Sequence, residues 1–145
     1  MDSQEDAGEH LPDLFEIFVG SSRSDSYGAW WDGSVVIYES FGPDFEACQQ
    51  TLVTPSSTQW QRFWRSMDEV GVWSWDARYE PGEGLEPEPV VGGRAHWSLA
   101  LAHAGRQAGS SGDGAGPGSL DLDESVAFTA FLEAASRLLG GRPFV

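Results

Sequence analysis

Four of the seven tryptophans in this 145-residue chain fall between positions 60 and 75, at Trp60, Trp64, Trp73 and Trp75. Trp60 and Trp64 are four apart, a spacing that places them one above the other on a helix. Trp73 and Trp75 are two apart, a spacing that places both on one side of a strand. The stretch therefore predicts a helix handing over to a strand, with both elements presenting indole rings to a shared core. The chain is 40% hydrophobic and 12% aromatic, which suffices for a packed interior. Its length matches one domain of ordinary size. The expected organisation is an acidic tail over residues 1–12 and a single domain over residues 13–145.

The helix is predicted to start at Thr54-Pro55, with Thr54 capping and Pro55 in the first turn. Trp60, Phe63, Trp64, Met67 and Val70 then form one apolar face, and Gly71 ends it. In the strand that follows, Trp73, Trp75, Ala77 and Tyr79 share one face, and Ser74, Asp76, Arg78 and Glu80 share the other. Ahead of the helix, β-rich runs cover residues 14–19, 27–31 and 35–41, with Asp32-Gly33 as a hairpin signal between the last two. Residues 46–53 supply a fourth run. After an acidic, proline-rich loop (81–89), a strand over residues 95–103 turns Trp97, Leu99 and Leu101 inward. Residues 106–110 are expected as an edge strand, and the glycine-rich stretch 109–119 as a flexible linker. A second helix follows, with Asp121 and Glu124 at capping-box spacing. Its apolar stripe is Phe128, Phe131, Leu132, Ala135, Leu138 and Leu139. Short connections favour antiparallel pairing. The expected fold is α+β, an antiparallel sheet of about six or seven strands with two amphipathic helices packed on one face.

Residues 54–140 also carry a recurrent pattern. It consists of Trp60-Gln61-Arg62-Phe63 on a helix, Val72-Trp73-Ser74-Trp75 with Tyr79, His96-Trp97-Ser98-Leu99 on a strand, and a closing helix from Phe128 to Leu139. This resembles small bacterial domains to which no activity is assigned. The resemblance implies the fold and carries no catalytic residues. The chain departs from the pattern at 109–119, where a tighter aromatic turn is expected. The absence of Lys and Asn also fits a GC-rich bacterial genome.

The formal charge is −15. Residues 1–50 hold eleven acids and one base, Arg23. Nucleic acid binding is disfavoured, because phosphate neutralisation needs clustered Lys or Arg. The same field repels anionic membranes and attracts basic partners. The lone Cys48 cannot form an internal disulfide, and the acidic N-terminal run is unlike a signal peptide. A cytoplasmic location is expected.

No metal, cofactor or catalytic residue is indicated. His96 and His103 are seven apart on one strand and face opposite ways, and no zinc or calcium motif is present. Gly112-Asp113-Gly114-Ala115-Gly116 lacks the spacing of a dinucleotide loop and the Lys of a P-loop. The leading expectation is a non-enzymatic protein-binding module, such as an immunity or inhibitor protein that blocks a basic partner. Adjacent strand residues face opposite ways, so one of Trp30 and Trp31 must leave the core, and an exposed Trp is a good contact residue. The candidate partner-binding residues are Trp30, Trp31, Asp32, Tyr38, Glu39, Glu83, Glu86 and Glu88. The alternative is an enzyme or small-ligand site between sheet and helices, built from Asp76, Arg78, Glu80, His96 and His103. Nucleic acid mimicry by carboxylates is a third option, weakened by the scatter of the acids. Oligomeric state is open, since an exposed edge strand can pair.

Overall fold

The β-branched and aromatic runs of the first fifty residues become strands, and those at Leu14–Gly20 and Val36–Phe41 bury alternate side chains over most of their length. The computed structural model describes residues 10–20, 25–42, 49–80, 96–119 and 122–144. In chain order the strands are β1 (Leu14–Gly20), β2 (Ser26–Trp31), β3 (Val36–Phe41), β4 (Gln49–Val53), β5 (Arg78–Tyr79), β6 (His96–His103) and β7 (Arg106–Asp113). They form one seven-stranded sheet in the order β4-β3-β2-β1-β6-β7-β5. The six-strand part from β4 to β7 is antiparallel throughout. The short β5 joins β7 in parallel, with Arg78 opposite Ser111.

Helices α1 (Ser57–Val70) and α2 (Val126–Leu138) cover one face of this sheet, and they pack against each other. That face carries Phe15, Ile17 and Val19 from β1, Val36 and Tyr38 from β3, and Trp97, Leu99 and Leu101 from β6, all buried. Phe15 meets Trp60 edge-on with ring centres 5.4 Å apart, and Trp97 lies 4.8 Å from Phe128. The architecture is thus the expected α+β arrangement. Among the described residues, no helix is long and apolar enough to cross a membrane.

Four local expectations are corrected. First, α1 is capped by Ser56 rather than Thr54. The Ser56 hydroxyl accepts from the Gln59 backbone N–H while the Gln59 side chain accepts from the Ser56 N–H. This reciprocal box satisfies two free donors where Thr54 could satisfy one.

Second, the indole-bearing segment after α1 is not one strand. Gly71 adopts a left-handed φ of 70°, and Val72–Ser74 form a 3-10 turn, leaving only Arg78–Tyr79 of this segment paired as a strand. The turn lets both indoles reach back to the helix end. Trp73 Nε1 donates to Asp68 at 2.9 Å and Trp75 Nε1 to the Val70 carbonyl at 3.1 Å. A helix C-terminus leaves carbonyls without partners, and here an indole supplies one.

Third, β7 runs on to Asp113 and lies between β6 and β5, so it is not an edge. Gly112 and Gly116 pack closely. A Cβ at Gly112 would come within 2.3 Å of the Trp97 indole nitrogen and 2.4 Å of the Ala115 carbonyl oxygen. Trp97 Nε1 donates to that same carbonyl at 2.8 Å.

Fourth, Ser125 caps α2. Its hydroxyl accepts from the Phe128 N–H and donates to the Pro117 carbonyl, tying the glycine-rich turn to the helix. A 3-10 turn at Leu122–Glu124 precedes it. Asp121, expected as the cap, lies outside the described residues.

At the other end of the described chain, His10 and Pro12, which fall within the expected tail, are placed against the fold. Trp64 Nε1 donates to the His10 carbonyl at 2.7 Å, and Pro12 is buried.

Candidate functional site: the open face of the sheet

The strand alternation that buries Phe15 and Ile17 turns Leu14, Glu16 and Phe18 to the other face. No helix covers that face among the described residues. The registers define its rows. Leu52, Ile37, Trp30, Glu16, Ala100 and Gly109 form one row across β4, β3, β2, β1, β6 and β7. The adjacent row is Gln50, Glu39, Gly28, Phe18, Ser98 and Ser111.

A groove of about 600 Å³ opens across these rows, lined by Glu16, Phe18, Gly28, Trp30, Glu39, Phe41, Ser98 and Ala100, with the backbone of the inward-facing residues as its floor. Gly28 is among its lining residues, at a point where the row has no side chain. Aromatic rings and two carboxylates make its walls, and no Lys or Arg lines it among the described residues. Glu39 accepts from the Gln50 amide at 2.9 Å, which orients it. Glu16, directly opposite Trp30, is exposed. Leu52, at the rim, is 63% exposed.

The structure separates the residues singled out from sequence. Trp30 and Glu39 lie on the open face and line the groove. Trp31 points the other way and packs edge-on against Trp60, ring centres 5.8 Å apart. Tyr38 is buried on the same inner side, and its hydroxyl donates to the Pro143 carbonyl. Burial pushes that hydroxyl's pKa up to about 12. As surface contacts, Trp31 and Tyr38 are therefore corrected: strand parity turns both to the helices. Asp32 is exposed, but its Oδ1 accepts from the Val35 N–H, the Ser34 N–H and the Ser34 hydroxyl. Those bonds hold its carboxyl below the usual range and assign it to shaping the β2–β3 turn. Glu83, Glu86 and Glu88 lie outside the described residues.

The residues of the alternative site do not converge. Arg78 pairs with Glu80 at 2.6 Å on the surface. His96 faces the open side, with Nδ1 3.3 Å from the Asp113 carboxylate, while His103 stacks flat on Trp64 at 4.4 Å. Asp76 is exposed, and its backbone N–H donates to the Tyr79 hydroxyl oxygen at 2.8 Å. Among the described residues, no three His, Cys, Asp or Glu side chains cluster as metal ligands do.

One further cluster lies at the end of α1. The Arg106 guanidinium sits 4.6 Å over the Trp73 ring, and its Nη1 is 2.7 Å from Asp68 Oδ1. The same oxygen accepts from Trp73 Nε1. That indole bond, with Arg106 adding to it, lowers the Asp68 pKa.

Sequence inspection missed Glu16, Phe18, Gly28, Phe41, Ser98 and Ala100. The signal was available: β1 and β3 carry large apolar residues on both faces, whereas the outward residues of β6 are small or polar. A sheet with helices enough for one side leaves such strands with an uncovered apolar surface. No protein-family model, curated protein or solved structure matches this chain.

Proposed function

We propose that the protein is a non-enzymatic binding module that docks a basic partner protein on the open face of its sheet, as an immunity or inhibitor protein would. The observation that carries this is the groove around Gly28, walled by Trp30, Phe18 and Phe41 and flanked by Glu16 and Glu39. Contiguous apolar surface with a polar rim is typical of interaction sites. Trp is the residue most enriched where binding energy concentrates. The net charge of −15 would steer a basic partner and speed its association at low salt. A reducing compartment such as the cytoplasm suits the lone Cys48 thiol. The enzyme alternative draws less support, because Arg78 and Glu80 pair with each other on the surface while His96 and His103 lie on opposite faces of the sheet.

Site-specific crosslinking tests this. A photoreactive residue at position 30 is expected to capture a basic protein in the native host. The same residue at Val126, 83% exposed on α2, is expected to capture none. Equal capture from both positions, or none from position 30, would count against the open face as the docking surface.

A further inference from the structure

The Trp73 cluster shows how this chain holds a guanidinium. One indole face stacks on Arg106 and one carboxylate, Asp68, takes its N–H, so the planar cation is gripped from above and from its edge. The open face repeats two of those three parts. Trp30 and Glu16 are directly opposed across β1 and β2, Glu39 flanks the neighbouring Gly28, and no basic side chain of the described chain reaches them. We infer that the missing third part comes from the partner: the groove takes an arginine side chain, its guanidinium stacked on Trp30 and hydrogen-bonded to Glu16 or Glu39. This rests on the open face being the docking surface and names what that surface selects.

Arginine fits better than lysine. A planar guanidinium can stack on an aromatic ring and present two parallel N–H groups to one carboxylate, whereas an ammonium is a compact, strongly hydrated point charge. Gly28 makes the room. Its Cβ would meet only the Ile17 carbonyl at 3.7 Å and Phe18 Cδ2 at 3.8 Å, both ordinary contacts. The strand therefore accommodates a side chain there, and the glycine keeps the groove open.

The test uses the full chain, labelled with ¹⁵N, and three capped tripeptides: acetyl-Gly-Arg-Gly-amide and its lysine and citrulline counterparts. The indole N–H resonance of Trp30, assigned by its loss in Trp30→Phe, is followed to millimolar peptide. The arginine peptide is expected to shift it along a saturable curve, about tenfold tighter than either counterpart. Glu16→Gln is expected to weaken that response, and Gly28→Val to abolish it while leaving the rest of the spectrum in place. Equal response to lysine and arginine would overturn the selectivity and leave the docking surface standing. No response at Trp30 to any peptide would overturn the arginine site, and crosslinking from position 30 would then judge the docking surface separately. A Gly28→Val chain that still responds in full would also overturn it.

Discussion

Trp30 and Trp31 are neighbours in one strand and meet opposite surroundings. Trp31 packs edge-on against Trp60 inside the molecule, while Trp30 lines a groove on the outside. The contrast extends across the sheet. On the covered face rings interlock: Phe15 touches Trp60 and Phe63, and Trp97 touches Phe128. On the open face aromatic residues stand between carboxylates around a glycine. The same residue type is structural on one side and available for recognition on the other, and strand parity alone decides which.

The largest expected difference comes from truncating one indole on each face. Trp60, fully buried at the centre of the aromatic cluster, should lose about 3–5 kcal/mol on Trp60→Ala. Trp30→Ala should stay within about 1 kcal/mol of the parent, since it empties no core volume. Urea unfolding of both variants measures this, and similar losses would mean that Trp30 is structural.

Glycines give the next contrast. Gly112→Ala drives a methyl into Trp97 and the Ala115 carbonyl and should cost about 1–3 kcal/mol. Gly28→Ala meets only ordinary contacts and should be neutral or slightly stabilising, because it lowers the entropy of the unfolded chain. Thermal midpoints compare the two.

Tyr38 sharpens the comparison through pH. Its folded pKa, about 12, lies above the unfolded value of 10.0. Between those values the folded state keeps a proton that the unfolded state releases. The stabilisation is therefore complete below pH 10 and declines as pH rises toward 12. Tyr38→Phe should remove the hydrogen bond to Pro143, at a cost of about 1 kcal/mol at neutral pH. It should also flatten the alkaline part of the stability curve, as read by denaturant unfolding at several pH values.

The smallest effect is expected at Asp68. Asp68→Asn weakens its bonds to Arg106 and Trp73 at an exposed site and should cost about 0.5 kcal/mol. Because its carboxyl pKa is lowered by folding, that contribution is present above the ordinary carboxylate range and is lost as pH falls through the folded pKa. Salt should diminish it.

What was legible in the sequence divides along the same line. Both helices were, because Trp60, Phe63, Trp64 and Met67, and again Phe128, Phe131, Ala135 and Leu138, recur at helical spacing and are all buried. The inward residues of β6 and the Asp32-Gly33 hairpin were legible too, since period-two alternation and a positive-φ glycine (Gly33, φ 106°) leave clear marks. Trp73 and Trp75 were misleading. A spacing of two over so short a run also fits a turn folding back on a helix end, and the carbonyl that draws Trp75 back is a backbone group with no trace in residue identity. The glycines after 108 misled for a related reason. Composition registers their freedom, whereas Gly112 is demanded by close packing against Trp97. At the site, Trp30 and Glu39 were found from parity and charge. Glu16 and Gly28 were not, because their role depends on the register that sets Glu16 opposite Trp30 and Gly28 opposite Glu39. Ser98 and Ala100 were not, because β1 acquires β6 as a neighbour only across the whole of β2 to β5.

That late pairing bears on how the chain is made. Strand β1 lies in the interior of the sheet, yet one of its two partners is β6, at His96–His103. On the ribosome, β1 to β4 and helix α1 emerge first, with one backbone edge of β1 still bare and the apolar seat for α2 unfilled. Translation must therefore pass residue 103 before that edge is sealed, and a chain truncated earlier would present an open, hydrophobic strand to its neighbours.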